Sequence, residues 1–470
     1  MKKRVALIPI DNRPVCYQLP KMIANMSDEL ELLLPQREFL GDLKIKADRE
    51  KLFSWLETVE NVDCIILSLD TLAYGGLVSS RKTSETFDEI IENLNVLKNI
   101  LLKKKAKVFA FSSIMRISNN NINEEEKDYW SRWGKRIFDW SYNHHKSLCT
   151  NDFEALNKHN CINNTIPNEI LDDYLMSRKR NFDINKVYLD WLKEGIFSYL
   201  VYSKDDCAEY GLNVLEAQEL TKSIEEKKLS AQVKTGADEI PLALIARFIS
   251  EEKNINIYPK FTQPEYIDKI SKYEDISVKE SVYSQINLSG AKVVHNEENA
   301  DFVLVVNNFK TEQGELVMNV FEEGFNGDFE LSEKPFAVAD ILNANGADND
   351  FIKTLLKKDL SNMLAYAGWN TTGNTIGSVL CMAIVRFCCS SINNKYVQKL
   401  LMTRFLDDWA YQANVRAILK QESSMPDEII LKQKMSCYEK YLNERFSTDF
   451  NDIQYKFPWD RFFEIEIFFN

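Results

Sequence analysis

The chain has 470 residues, 45% hydrophobic and 27% charged, the balance of a folded globular protein with room for one large domain or two ordinary ones. Its formal net charge of −13 speaks against the basic face with which nucleic-acid binders neutralise phosphates, so no nucleic-acid partner is expected. No stretch approaches the roughly 20 apolar residues that span a bilayer. Nine scattered cysteines without a CxxC pair and only four histidines argue for reduced thiols and against a zinc site.

Met1-Lys2-Lys3-Arg4 carries the charge of a leader, but the apolar run behind it, residues 5–10, stops at Asp11 without a small-residue cleavage site; a cytoplasmic location is expected. That run is the first of eight short β-branched and aliphatic segments. It is halted by Asp11-Asn12-Arg13-Pro14, and the second, 32–34, by Pro35. Residues 64–69 run into Asp70, 108–111 into a loop holding Arg116, and 197–202 into Lys204-Asp205-Asp206. Residues 231–233 lead to Gly236-Ala237-Asp238-Glu239, 336–339 to Asp340 and Asn343, and 363–367 to Gly368-Trp369-Asn370. Unbroken apolar runs of this length mark strands covered on both faces. Helix-like stretches such as 87–102 alternate with them, which predicts a parallel α/β sheet.

Eight strands is the number of a (β/α)8 TIM-barrel-like parallel barrel, placed over residues 1–376. Residues 119–190, polar and aromatic behind Glu124-Glu125-Glu126, are expected as a helical excursion. Residues 252–310 carry a small strand-and-helix pattern of their own, taken as an α/β insertion. If that segment joins the main sheet, the architecture becomes one open doubly wound sheet, or two. Residues 377–470 are expected to be helical and packed on the barrel, with the aromatic run Phe457-Pro458-Trp459-Asp460-Arg461-Phe462 folded back on the body.

In parallel α/β folds the ligand lies beyond the carboxyl ends of the strands. The residues that follow the strands are therefore candidates: Asp11, Arg13, Asp70, Arg116, Asp238, Glu239, Asn343, Trp369, Asn370 and Asn374 for substrate, with Asp205 and Asp206 for catalysis. Singly, each acid or amide has a plainer explanation as a helix N-cap, worth about 1 kcal/mol. Their recurrence at nearly every strand end is the stronger signal. Neighbouring carboxylates raise one another's pKa, so an Asp-Asp pair can supply a proton near neutrality. Trp369 between small residues and amides suits the face of a sugar ring, or equally a place in the core.

The runs Asp11-Asn12-Arg13-Pro14, Ser68-Leu69-Asp70-Thr71-Leu72-Ala73-Tyr74-Gly75-Gly76, Gly236-Ala237-Asp238-Glu239 and Tyr366-Ala367-Gly368-Trp369-Asn370-Thr371 resemble the bacterial domain-of-unknown-function 4127 family. Leu406-Asp407-Asp408-Trp409-Ala410-Tyr411-Gln412 and Phe457-Pro458-Trp459-Asp460-Arg461 extend the likeness over nearly the whole chain. The resemblance implies no activity. The Asp205-Asp206 pair is also similar to that of retaining N-acetylhexosaminidases on barrels, which implies Asp205 as the orienting residue and Asp206 as the acid/base. The leading expectation is a glycoside hydrolase or related sugar-acting enzyme with a small-molecule or carbohydrate substrate and no cofactor. The alternatives are a hydrolase or lyase using Mg or Mn at Asp11, Asp70 and Asp238, and a non-catalytic sugar- or ligand-binding protein.

Overall fold

The computed structural model describes residues 2–327 and 329–469. All eight runs become strands, divided between two open parallel sheets. The first holds β1 (Lys3–Ile8), β2 (Leu30–Leu33), β3 (Cys64–Ser68), β4 (Lys107–Ile114), β5 (Tyr199–Lys204) and β6 (Ala231–Thr235), in the order β2-β1-β3-β4-β5-β6. The second contains β7 (Asn256–Phe261), β8 (Lys292–Val293), β9 (Phe302–Asn307), β11 (Phe336–Asp340) and β13 (Met363–Ala367), in the order β13-β11-β9-β7-β8. A two-stranded patch of β10 (Gly314–Glu315) and β12 (Asn343–Ala344) sits beside it.

The expected single barrel is therefore corrected, and the alternative of two open sheets describes the chain. In an eightfold barrel sequential strands are neighbours throughout, whereas here β1 lies between β2 and β3, with β2 and β6 left as edges. The supposed insertion at 252–310 supplies β7, β8 and β9, and β11 pairs with β9 from Phe336↔Val303 to Asp340↔Asn307. The boundary placed at 376/377 falls inside the helix Thr372–Cys388. Both sheets reverse their strand order beside their first strand, as doubly wound folds do.

Each sheet is covered on both faces. One face of the first sheet, carrying Ile65, Leu67, Ala110 and Leu200, packs on the helices Arg49–Thr58, Phe87–Leu101 and Asn168–Lys193. One face of the second, carrying Val303, Val338 and Tyr366, packs on Asn349–Leu355 and the C-terminal helices. The remaining two faces share one core with the helices Ile240–Ser250 and Thr372–Cys388. Those helices are apolar nearly all round because each is buried between a sheet and the other helix, so no polar face is needed. Two sandwiches are thus joined through a common helical layer.

Residues 119–190 include the helices Trp130–Thr150 and Phe153–Asn163 and most of Asn168–Lys193. Beyond residue 377 the chain forms helices up to Phe446, including a π-helix at Phe405–Val415, and then an antiparallel hairpin that the sequence reading did not anticipate. Its strands are β14 (Ile453–Lys456) and β15 (Glu466–Phe469), and the loop between them carries the aromatic run. Among the described residues no helix is long and apolar enough to cross a membrane.

Candidate active site

The strands of the first sheet end in step. Ser68 pairs with Phe111, Ile114 with Lys204, and Lys204 with Thr235, so the following loops leave one edge together. A cavity of about 120 Å³ opens at that edge. Asp11, Arg13, Arg116, Asp205, Asp206, Asp238, Asn370 and Asn374 all line it, with Gly75, Gly76, Asp42, Glu125, Trp459 and Phe463.

One wall is organised by Arg13. Its Nε and backbone N–H donate to the two Asp11 oxygens at 2.8 and 2.9 Å. Its Nη1 and Nη2 grip Asp238 at 3.3 and 2.6 Å, a paired contact suited to the planar guanidinium. Asn370 Nδ2 donates to Asp238 Oδ2 at 3.1 Å, from a backbone at φ 76°, a left-handed conformation that Asn tolerates. Asn374 Oδ1 accepts from the backbone N–H groups of Ala237, Asp238 and Glu239, capping the start of helix Ile240–Ser250 from the neighbouring helix. Behind Arg13 lies Glu464, buried, whose carboxyl is pushed up to about 8 by burial against the pull of Arg13.

The other wall is organised by Arg116. Its Nη1 donates to Asp206 Oδ2 at 3.0 Å and to Asp205 Oδ2 at 3.3 Å, its Nη2 to Glu125 Oε2 at 2.9 Å, and its Nε to Glu126 Oε1 at 3.2 Å. Arg81, buried beneath, lies 3.3 Å from Glu125 and 3.7 Å from Asp205. Burial opposes the Glu125 charge, yet Arg116, Arg81 and Arg461 hold its carboxyl well below the usual carboxylate range. The Asp206 carboxyl is pushed up to about 7 by desolvation and by Asp205, with Arg116 pulling the other way. Asp205 and Asp206 both lie in the turn beyond β5, Asp206 at φ 41°, and reach the same guanidinium nitrogen.

Four expected site residues lie elsewhere. Asp70 is buried under the first turn of helix Leu69–Tyr74 and accepts from the Ser113 N–H at 2.8 Å; burial pushes its carboxyl up to about 7. Glu239 is wholly buried, held by Gln285 Nε2 at 2.7 Å and raised to about 8 by burial. Asn343 belongs to β12, away from the cavity. Trp369 packs in the core against Phe463, with ring centroids 5.6 Å apart. The Asp11, Asp70 and Asp238 set proposed for Mg or Mn does not converge, because Arg13 occupies the space between two members and Ser113 takes the third. Among the described residues no group of three His, Cys, Asp or Glu side chains is placed to hold a metal.

Sequence reasoning missed Arg81, Glu125 and the loop residues Trp459 and Phe463. Trp459 lies on the cavity wall with Arg13 5.2 Å and Arg461 4.8 Å from its ring, and its Nε1 donates to Asn12 Oδ1 at 2.7 Å. A family model described as "Protein of unknown function (DUF4127)" matches residues 5–468. The chain belongs to that family. No curated protein and no solved structure matches it. In this DUF4127 chain the runs that carry the family likeness gather round the cavity. They supply Asp11 and Arg13, Gly75 and Gly76, Asp238, Asn370, and Trp459. The π-helix run supports them, since Asp408 Oδ2 accepts from the Gly368 N–H at 2.7 Å and Gln412 Nε2 donates to the Phe463 carbonyl at 3.2 Å.

Proposed function

We propose that this chain is an acid/base hydrolase acting on a small hydroxyl-rich molecule, of the glycoside-hydrolase kind, with Asp206 exchanging the proton at the bond that breaks. The observation that carries the reading is the Asp206 carboxyl on the cavity wall, raised to about 7 yet hydrogen-bonded to Arg116. A group with that pKa is present in both protonation states near neutrality, as a general acid that must later act as a base requires. Protonated Asp206 gives its proton to the departing glycosidic oxygen as the C–O bond breaks, Arg116 steadies the carboxylate left behind, and that carboxylate then takes a proton from the water whose oxygen forms the new bond to the anomeric carbon. Asp205, fixed by the same guanidinium, orients the substrate. Asp238, Asp11 and Asn370 on the facing wall offer hydrogen-bond partners to hydroxyl groups.

The cavity is smaller than the roughly 300–1,000 Å³ of drug-sized sites, which favours one small ring or the end of a chain. Asp206→Asn is expected to lower turnover of a chromogenic glycoside panel by about 10²–10⁴-fold while circular dichroism is unchanged. Undiminished turnover by D206N would overturn the assignment. Exhaustive chelation in the same assay separates this chemistry from the magnesium or manganese alternative, and loss of activity would favour the latter.

A further inference from the structure

Nothing in the proposed chemistry uses the hairpin loop between β14 and β15, yet its side chains close the cavity and join its two walls. Trp459 and Asp460 both take left-handed backbone conformations, φ 57° and 53°. For a bulky residue such a conformation is strained and persists only where surrounding contacts enforce it. The contacts are identifiable. Trp459 is tied to Asn12, Tyr411 Oη donates to the Phe462 carbonyl at 2.7 Å, and Arg37 pairs with Glu466 at 2.6 Å.

From this fixed loop Arg461 reaches Glu125. Its Nη1 donates to Glu125 Oε1 at 3.2 Å, and Glu124 lies 3.9 Å away. Glu125 Oε2 accepts from Arg116, and Arg116 Nη1 holds Asp206. We infer that Arg461 is a positioning residue, acting through Glu125 and Arg116 to set the placement of the Asp206 carboxyl. With one Glu125 oxygen held by Arg461, the other is left to Arg81 and Arg116, and Arg116 is turned so that Nη1 faces the Asp pair. Without Arg461, Glu125 has a free oxygen that draws Arg116 away from Asp206. The loop is then a structural part of the site, although the Arg461 guanidinium is absent from the cavity lining.

The groups facing Asp206 are Asp205 and Cys207 in its own turn, Arg116 and Glu125 from the loop after β4, Arg81 from helix Leu77–Lys82, and Tyr273 from the segment after β7. Losing the Arg461 charge and weakening the Arg116 contact both favour the protonated acid. Titrating Asp206 by carboxyl ¹³C NMR, with D206N to assign the resonance, tests this without a substrate. Arg461→Gln should move the Asp206 midpoint upward by on the order of half a pH unit. Arg461→Lys should restore most of it. Glu125→Gln removes a negative neighbour and should move the midpoint downward, an opposite sign that a general loosening of the loop does not produce.

An unchanged midpoint in folded R461Q would overturn the inference, as would an upward shift in E125Q. If R461Q does not fold, Asn12→Ala, which unties Trp459 and so releases the loop that carries Arg461, takes its place: the same upward shift is expected, and none would overturn the inference. The inference rests on Asp206 as the proton-exchanging group, and the two claims fail separately. D206N that still turns substrate over removes the functional reading, whereas an Asp206 titration indifferent to Arg461 removes only the positioning role.

Discussion

Gly236 shows how tightly single residues are constrained beneath the site. It sits at φ 103°, and a Cβ placed there would lie 2.1 Å from Glu239 Oε1. Glu239 has nowhere to retreat, since a Cβ on Gly377 would lie 2.3 Å from its Cγ and Gln285 holds its carboxyl. Gly236→Ala is therefore expected to destabilise the fold by about 2 kcal/mol or more, read as a lowered urea midpoint. The residues after the strands were legible in the sequence because parallel strands deliver their loops to one edge, whatever the fold's closure. Trp369 was misplaced because a tryptophan between small residues reads the same in a core as in a cleft. Trp459 does the cavity-lining work instead, and no strand-end argument could find it, because it reaches the site from a hairpin far along the chain.

At the scale of elements, the site depends on one helix capping another. Asn374, in the first turn of Thr372–Cys388, accepts from three N–H groups that lead into Ile240–Ser250 and so holds Asp238 against Arg13. Asn374→Ala should cost about 1–2 kcal/mol in denaturant unfolding, the loss of a strong cap. The strands themselves were legible from sequence because buried parallel strands are short, apolar and sharply ended. Their pairing was not. A run such as 302–306 has the same composition whether it forms an insertion or, as β9, the middle of a second sheet. Strand order is decided by which helices fill the space between sheets, and local pattern does not report that.

The whole molecule buries acids on a scale that makes its stability depend on pH. Burial pushes Asp70, Glu216, Glu274 and Asp408 up to about 7, and Glu239 and Glu464 up to about 8. Each folded-state pKa lies above its unfolded value, so the stability these groups contribute is full below about pH 4 and lost as pH rises through 7 and 8. Glu125, held low by its arginines, works the other way and loses its contribution as pH falls through the carboxylate range. Lys234, lowered to about 7 by burial, adds stability only as pH rises from there toward about 10.4. The acids outnumber it. The melting temperature should thus be highest near about pH 4–5 and decline toward about pH 8 at low salt, and a flat profile by thermal circular dichroism would contradict the buried-acid account.

The bond from Trp459 to Asn12 bridges 447 positions of chain. Domains fold as units while the ribosome is still at work, so the first sheet has the means to assemble long before the hairpin exists. A nascent chain would then carry Asp11, Arg116 and Asp206 in an open, uncovered groove, and the cleft would be sealed only late in translation.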